Sequence, residues 1–420
     1  MARSGTGRGV AIVRPGCRAC GAPLHVSVVD LGLQPLANSY LTAADLDGPE
    51  PRYPLHPYVC DRCWLMQLES VATPEQIFSD YAYFSSYSDS WLEHARTFVV
   101  RITERLALGS EHLVVEVASN DGYLLRNFVE REIPVLGIEP APKVAEHAIA
   151  NGVPTEIAFF GEEVAEGLRS RGVRADLLIG NNVLAHVPDL HDFVSGLSTL
   201  LAPRGTLTME FPHVLRLLEE AQFDTIYHEH YSYFSLAVVR DVFARHSLAV
   251  FEVEELPTHG GSLRIYAAHA DDGRPEDGSV ADILRRERSA DLTSPATYKR
   301  LDASARSVKR GLLAFLEEAR RVGHTVVAYG APAKGNTLLN YCGVTTELVP
   351  FTVDRSPHKQ GLFLPGSHLP IRAPEDMLAA QPDYVLVLPW NLKSEIVQQM
   401  AEVRTWGGRF AVPIPELTVL

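Results

Sequence analysis

Two apolar patterns alternate along this chain of 420 residues. Short unbroken apolar runs closed by small residues read as buried strands, and stretches with apolar residues three and four apart read as helices. The first alternation spans about residues 90 to 270. Leu113-Val114-Val115-Glu116-Val117 ends in the turn Ala118-Ser119-Asn120-Asp121-Gly122, a helix is expected over Tyr123 to Arg131, and Val135-Leu136-Gly137-Ile138-Glu139 is the next run. Ala175 to Gly180 and Thr206 to Phe211 continue the series. Leu248 to Leu256 and Gly261 to His269 read as an antiparallel pair joined by a Pro/Gly-rich turn. Residues 274 to 322 carry helical spacing at Val308, Leu312, Phe315 and Leu316, so one or two connecting helices are expected. A second alternation follows, with runs at Thr325 to Gly330, Pro350 to Asp354 and Tyr384 to Leu388. Strands alternating with helices argue for an α/β architecture of parallel sheets.

The first seventy or so residues follow neither rhythm. They carry Cys17-Arg18-Ala19-Cys20 and Cys60-Asp61-Arg62-Cys63, with a proline-dotted spacer between and a short strand expected at Leu65 to Leu68. Two thiolate-bearing turns backed by short strands describe a zinc ribbon, whose four sulfurs at about 2.3 Å from the metal supply folding energy that so small a core lacks. Two unrelated or redox CxxC pairs are the alternative. The spacer, residues 21 to 59, exceeds that of a typical ribbon and is expected to be an inserted loop. The division that results is 1–72 for a zinc-binding unit, 73–272 for the first α/β unit and 273–420 for a second, smaller Rossmann-like unit.

Composition narrows the class. Apolar residues make up 46% and charged residues 21%, the proportions of a soluble globular chain with ample material for cores. Asp and Glu (52) outnumber Lys and Arg (38), for a formal charge of -14, which argues against a nucleic-acid partner. A small anion held by a few local donors stays compatible with that balance. No run of about 18 apolar residues marks a membrane span. Val10 to Val13 is too short for a secretory core, so a cytoplasmic location is expected. No large apolar helix demands a second copy, and a monomer is expected.

The turns after the strands carry the first chemistry. Glu116-x-Ala118-x-Asn120-Asp121-Gly122 occupies the place where S-adenosylmethionine methyltransferases carry E/D-x-G-x-G-x-G, with two of three glycines replaced. Glu139 ends the second strand, where a carboxylate accepts both ribose hydroxyls of a nucleotide-like cofactor. Asn181-Asn182 follows a later strand, which is the fourth if one between escapes the pattern. Asp121 is a candidate cap for the helix whose dipole faces the cofactor. The densest cluster is Phe223-Asp224-Thr225-Ile226-Tyr227-His228-Glu229-His230-Tyr231-Ser232-Tyr233-Phe234. A histidine titrates near neutrality and suits proton abstraction, and a neighbouring carboxylate can orient it. Half a metal site, or an aromatic core strand with surface histidines, are the competing readings. Tyr81 and Tyr83, in an aromatic–hydroxyl run, His186, just past the Asn181-Asn182 strand end, and His259, in a glycine turn, are candidates to converge on it.

VEVASNDGYLL, GIEP, NNVLAHVP, EFPH, FDTIYHEHYSYFS, HGGSLR and GAPAKGNTLLNYCG, with the four-cysteine unit, together resemble the deoxysugar C-methyltransferases of antibiotic biosynthesis, over residues 17 to 416. The resemblance implies a small N-terminal zinc-binding domain, a central class I Rossmann-like methyltransferase domain and a C-terminal Rossmann-like domain that helps hold a nucleotide sugar. It implies S-adenosylmethionine and structural Zn2+ as cofactors, with Cys17, Cys20, Cys60 and Cys63 as ligands, and a dTDP-linked 4-keto-deoxysugar as substrate. It also implies that Tyr227, Glu229 and His230 are active-site tyrosine, glutamate and base, that His186 and Tyr81 complete the pocket, and that Tyr83 competes with Tyr81. The substituted loop, with Glu116, Ala118, Asn120, Asp121 and Gly122, is what this family carries. His230 is then expected to remove a proton beside the C4 ketone, Tyr227, Tyr81 or His186 to hold the oxyanion, and Glu229 to orient the sugar or His230. Lys334, with Asn336, is the candidate for the diphosphate, ahead of Lys359 and His358. Methylation at C3 is the expected outcome. A C5 enzyme, an O- or N-methyltransferase, and a silent nucleotide-binding zinc scaffold are the alternatives.

Overall fold

A computed structural model describes residues 16–71 and 89–420. Tyr81 and Tyr83 lie outside the described residues.

The central sheet has seven strands: β1 (Val114–Val117), β2 (Val135–Ile138), β3 (Thr155–Glu156), β4 (Ala175–Asn181), β5 (Leu201–Pro212), β6 (Leu248–Leu256) and β7 (Ser262–His269), in the order β6-β7-β5-β4-β1-β2-β3. Strands β3, β2, β1, β4 and β5 pair in parallel, and β7 runs antiparallel to both β5 and β6. All four residues of β1 are buried, as a strand covered on both faces requires. Helices Leu190–Leu200 and Leu236–Arg245 cover one face and helix Asp89–Leu106 the other. Strand β3 is the one the apolar pattern missed: two half-buried residues are too few for a period.

The helix expected over Tyr123 to Arg131 shrinks to Arg126–Val129, and Asp121 does not cap it, because the N-cap is Leu125 with no side-chain bond. Asn127 explains part of the shortening. Its amide donates to the carbonyls of Tyr123 and Leu124, a side-chain alternative to the helical ladder. The expected connector resolves into two helices, Gly278–Ser289 and Pro295–Arg321. Along the longer one, Leu301, Ala305, Val308, Leu312 and Leu316 form the buried stripe. The C-terminal sheet has six strands in the order Ile371–Arg372, Thr352–Val353, Val326–Tyr329, Tyr384–Val387, Arg409–Val412, Thr418–Val419. Its first five are parallel and the last antiparallel, a second Rossmann-like layer.

The N-terminal unit departs most from expectation. Residues 21 to 59 are not an inserted loop: they hold the strands Val26–Ser27, Leu33–Gln34, Tyr53–Pro54 and Tyr58–Val59. Its four-stranded sheet is completed from elsewhere in the chain, Ser232–Tyr233 pairing antiparallel with Met66–Gln67. Nor does the unit keep a core to itself. Val28, Leu31, Leu55 and Met66 pack into the cluster that holds Leu312 and Phe410, whereas Cys17, Leu24, Cys60 and Leu65 join Val117, Phe211 and Phe234. So small a unit buries too little surface alone, and wedging it between the two larger units solves that. Among the described residues no helix is long and apolar enough to cross a membrane.

A fully buried ion pair lies inside the central sheet. Glu210 of β5 and Arg264 of β7 are direct cross-strand partners, 2.6 Å apart and both fully buried. Burial alone would raise the Glu210 carboxyl, but the His94 hydrogen bond and the Arg264 charge outweigh it and hold the pKa at about 2. The stability this adds is present above the usual glutamate pKa and is lost as the pH falls toward 2. Arg264→Met should cost about 3–5 kcal/mol in urea unfolding at pH 7, because it strands a buried carboxylate. Adding Glu210→Gln to that variant should recover much of the loss; no recovery would show that packing, not charge, sets the cost.

Candidate active site at the junction of three units

The cofactor side is built from the carboxyl ends of β1, β2 and β4. Ala118, Asn120, Glu139, Asn181 and Asn182 line one cavity of about 420 Å³. The substituted glycine loop keeps the glycine conformation: Ala118, Asn120 and Gly122 have φ of 55°, 50° and 77°. Asparagine tolerates that region, and alanine there carries a small strain. Only the third position excludes a side chain outright, since a Cβ on Gly122 would lie 2.9 Å from Val153 Cγ2. Glu139 is held by two backbone amides, Asn120 N–H at 3.0 Å and Ala141 N–H at 2.9 Å. Burial raises its carboxyl and those amides partly offset the rise. Glu116, Asp121 and Gly122 shape the wall from behind and are not among the lining residues. Burial, then the charges of Asp121 and Glu139, push the Glu116 carboxyl well above the usual range.

These residues fit S-adenosylmethionine. A mostly apolar cavity of this size, an anchored carboxylate and the unbonded buried oxygens Asn181 Oδ1 and Asn182 Oδ1 suit an adenosyl group with ribose hydroxyls and a cationic amino acid tail. Trp91, Tyr123, Phe160 and Asp192 also line it; Tyr123 falls within the VEVASNDGYLL motif, and no motif in the sequence marks the other three. His259 stands on the same wall, edge-on to Trp91 with ring centroids 5.2 Å apart. Its loop is tied back to the ion pair through the Thr258 hydroxyl, which donates to Glu210 Oε1 at 2.7 Å.

The histidine–tyrosine block closes the far end. His186, on the turn Leu184–His186 after β4, lines the cavity and packs against His230 with ring centroids 4.7 Å apart. His230 Nδ1 lies 3.0 Å from the Thr225 carbonyl, which only accepts, so Nδ1 carries the proton. Nε2 is then the basic nitrogen, and the Tyr227 hydroxyl donates to it at 2.8 Å. Burial above all, then the fields of His186, His259 and Lys334, pull the His230 pKa well below its ordinary value. His186 and His259 fall to about 4, chiefly through burial. All three rings are therefore neutral at pH 7. Glu229 does not orient His230, because both ring nitrogens are engaged elsewhere. Its Oε1 accepts from Asn38 Nδ2 at 2.7 Å, and burial lifts its carboxyl to about 7.

The C-terminal unit meets this block through Lys334. Lys334 Nζ donates to Asn391 Oδ1 at 2.6 Å and sits 4.8 Å from the Trp390 ring centroid, while Trp390 Nε1–H donates to Asp224 Oδ2 at 2.7 Å. Burial lowers the ammonium to about 8, with Asp224 opposing. Asn336 is buried on the same helix, Ala333–Cys342, with Oδ1 unbonded. Asp224 belongs to the dense block but was given no role of its own, and Trp390 is a neighbour that the sequence reading did not single out.

The four cysteines converge. Their sulfurs lie within 4.8 Å of one another, with Cys17–Cys63 at 3.4 Å and Cys20–Cys60 at 3.5 Å. Zinc–sulfur bonds of about 2.3 Å put tetrahedral sulfurs about 3.8 Å apart, so the cluster fits one Zn2+. Gln67 Nε2 donates to Cys17 Sγ at 3.1 Å and orients that ligand.

Sheet order, strand-end carboxylate and cavity define a class I S-adenosylmethionine-dependent methyltransferase fused to a four-cysteine zinc unit. Family models match throughout: a zinc binding domain at residues 17–78, a methyltransferase domain at 91–253 and a C-methyltransferase C-terminal domain at 257–415. The C-methyltransferase NovU of Streptomyces niveus is 40% identical over 418 residues, 97% of this chain and 98% of its own. The chain belongs to the sugar C-methyltransferase family, and its cofactors are S-adenosylmethionine and structural zinc. Among solved structures, magnesium protoporphyrin IX methyltransferase of Synechocystis PCC 6803 with bound SAM is 16% identical, with a TM-score of 0.33 over 46% of this chain and 88% of that one. An S-adenosylmethionine-dependent methyltransferase of Clostridium acetobutylicum is 9% identical, with a TM-score of 0.34 over 46% and 95%.

Cys60→Ser should drop zinc content from one per chain to near zero and loosen the strand pairing at Ser232–Tyr233, read by hydrogen exchange. A zinc-free variant with unchanged exchange and activity would contradict the structural role of the metal.

Proposed function

We propose that the chain methylates C3 of a dTDP-linked 4-keto-deoxysugar through an enolate, with His230 as the base. The observation that carries this reading is the state of His230: neutral, Nδ1-protonated, and packed against the histidine that borders the cofactor cavity. The donor, when bound, supplies an electrophilic methyl on a sulfonium sulfur. His230 Nε2 takes the C3 proton, and the electron pair moves onto the C4 oxygen. Tyr227 turns its O–H from Nε2 to that oxygen as the proton arrives, with His186 as the second neighbour of the developing charge. The C4 carbonyl re-forms as the enolate carbon takes up the methyl that the donor would supply, and the proton leaves His230 to solvent. Tyr81 or Tyr83 completes the pocket in this reading.

The Glu229 carboxylate accepts a sugar hydroxyl in its ionised form, and His259 borders the sugar near the donor. Lys334 and Asn336 serve the nucleotide side, as donors toward the diphosphate. Behind the cavity wall Glu116, Asp121 and Gly122 support it, and Glu139, which lines it, holds the ribose. The units are divided at 1–72, 73–272 and 273–420, and the enzyme works as a cytoplasmic monomer with no nucleic-acid partner.

His230→Asn should lower turnover by at least about a thousandfold while S-adenosylmethionine affinity stays within about threefold, since a base acts on the chemical step. Incubating the wild-type enzyme with a C3-deuterated dTDP-4-keto sugar and no methyl donor should wash out the label, and His230→Asn should not. Washout at C5 instead would reassign the methylated carbon, and full activity of His230→Asn would remove the base.

A further inference from the structure

The block that carries His230 is gripped from the N-terminal unit along most of its length. His228 Nε2 bonds the Pro54 carbonyl at 3.2 Å, Leu68 N–H donates to the Tyr231 carbonyl at 2.9 Å, and Arg18 Nη1 reaches the same carbonyl at 3.1 Å. Ser232 and Tyr233 pair with Gln67 and Met66, and Gln67 in turn donates to Cys17 Sγ. Those contacts hold backbone and a flanking histidine. Asn38 differs, because it touches a carboxylate inside the candidate site.

Glu229 is buried, and its Oε1 accepts from Asn38 Nδ2 at 2.7 Å. The other end of the amide is also engaged. The Tyr40 hydroxyl shares its hydrogen between Asn38 Oδ1 at 3.2 Å and the Ala331 carbonyl at 2.7 Å. That arrangement decides which way the amide points, since a flip would set Oδ1 against the carboxylate. Lys359 completes the corner: its Nζ donates to the Ala331 carbonyl at 3.0 Å, lies 5.2 Å from the Tyr40 ring centroid and is 3.9 Å from Asp354. All three units therefore meet at Glu229, and the hydrogen bond comes from the zinc-binding one.

We propose that Asn38 is a positioning residue of the active site, aiming the Glu229 carboxylate through its hydrogen bond and favouring the ionised form. The zinc-binding unit thereby contributes a side chain to the site as well as its support. The inference rests on the reading of Glu229 as a working carboxylate. Among the described residues, the charged and titratable groups facing Glu229 are Lys359 and Tyr40, with Asp354 behind Lys359, and the His186 ring, which bonds the Glu229 backbone. Burial pushes the carboxyl up, whereas Asn38 and Lys359 pull it down. Loss of the amide must therefore raise it.

The test is the pH profile of kcat/KM for zinc-loaded Asn38→Leu and Asn38→Asp, with Ser39→Ala, an exposed neighbour, as control. Asn38→Leu should move the acid limb up by about one unit and lower kcat/KM at pH 7 roughly tenfold, the size of one hydrogen bond to a charged group. Asn38→Asp, of the same shape, sets a second acid against Glu229 and should move the limb at least as far. Zinc content, melting temperature and S-adenosylmethionine affinity should stay at wild-type values, as should every parameter of Ser39→Ala. An unmoved limb in a variant that retains zinc would overturn the proposal. Loss of zinc from both variants would also overturn it, by making Asn38 a structural residue. Glu229→Gln separates the two claims: full activity there removes the role of Glu229 itself, whereas an impaired Glu229→Gln beside an unaffected Asn38→Leu removes only the positioning.

Discussion

The hydrogen bond from His230 Nδ1–H to the Thr225 carbonyl is the constraint on which the site depends. An imidazole buried without a fixed partner could present either nitrogen, and only one tautomer leaves a lone pair at Nε2. The carbonyl removes that freedom. It lies five residues upstream in the same block, so the block must turn back on itself, which the short turn Phe223–Thr225 and the bond from His230 N–H to the Tyr227 carbonyl achieve. A segment so tightly folded and so rich in polar groups has no regular ladder of its own. Its backbone is bonded by the N-terminal sheet, by Ala185 of the turn after β4 and by Thr337 of the C-terminal unit.

Burial sets the proton inventory of the pocket. It disfavours charge of either sign, so it lowers the three histidines and Lys334 and raises Glu116, Glu139, Glu229 and Asp224. The exception proves which charges are meant to persist: Glu210, equally buried, is held down by Arg264 and His94 and serves the scaffold. Neutral histidines suit the proposed chemistry, in which a neutral base creates an enolate beside a cationic methyl donor. Every polar group aimed at the developing charge acts more strongly in a buried pocket.

Much of this was legible in the chain. Buried strands β1, β2 and β4 appear as apolar runs because both of their faces are covered, and the two CxxC pairs declare their own geometry. Other parts were not. The loop Ala118 to Gly122 looks like a damaged glycine motif, and only the backbone shows that Ala118 and Asn120 hold the glycine conformation. Asn127 diverts its helix by a side-chain bond that no periodicity reveals. The N-terminal strands described are each two residues long, and one, Ser232–Tyr233, comes from more than 160 residues away, so the unit reads as a loop. Asn38 and Trp390 matter only through long-range contacts, with Glu229 and Asp224, and carry no local signature. Within the dense block, adjacency suggested that Glu229 serves His230; the fold turns the two side chains to different partners.

The central claim is that His230 is a neutral, Nδ1-protonated base at working pH. The direct measurement is 15N NMR of histidine-labelled enzyme from pH 5 to 8, with the signal assigned by its loss in His230→Asn. The account predicts a protonated Nδ1 and an unprotonated, hydrogen-bonded Nε2 at pH 7, with no imidazolium signal down to pH below 6. An imidazolium at pH 7, or a proton on Nε2 instead of Nδ1, would contradict it.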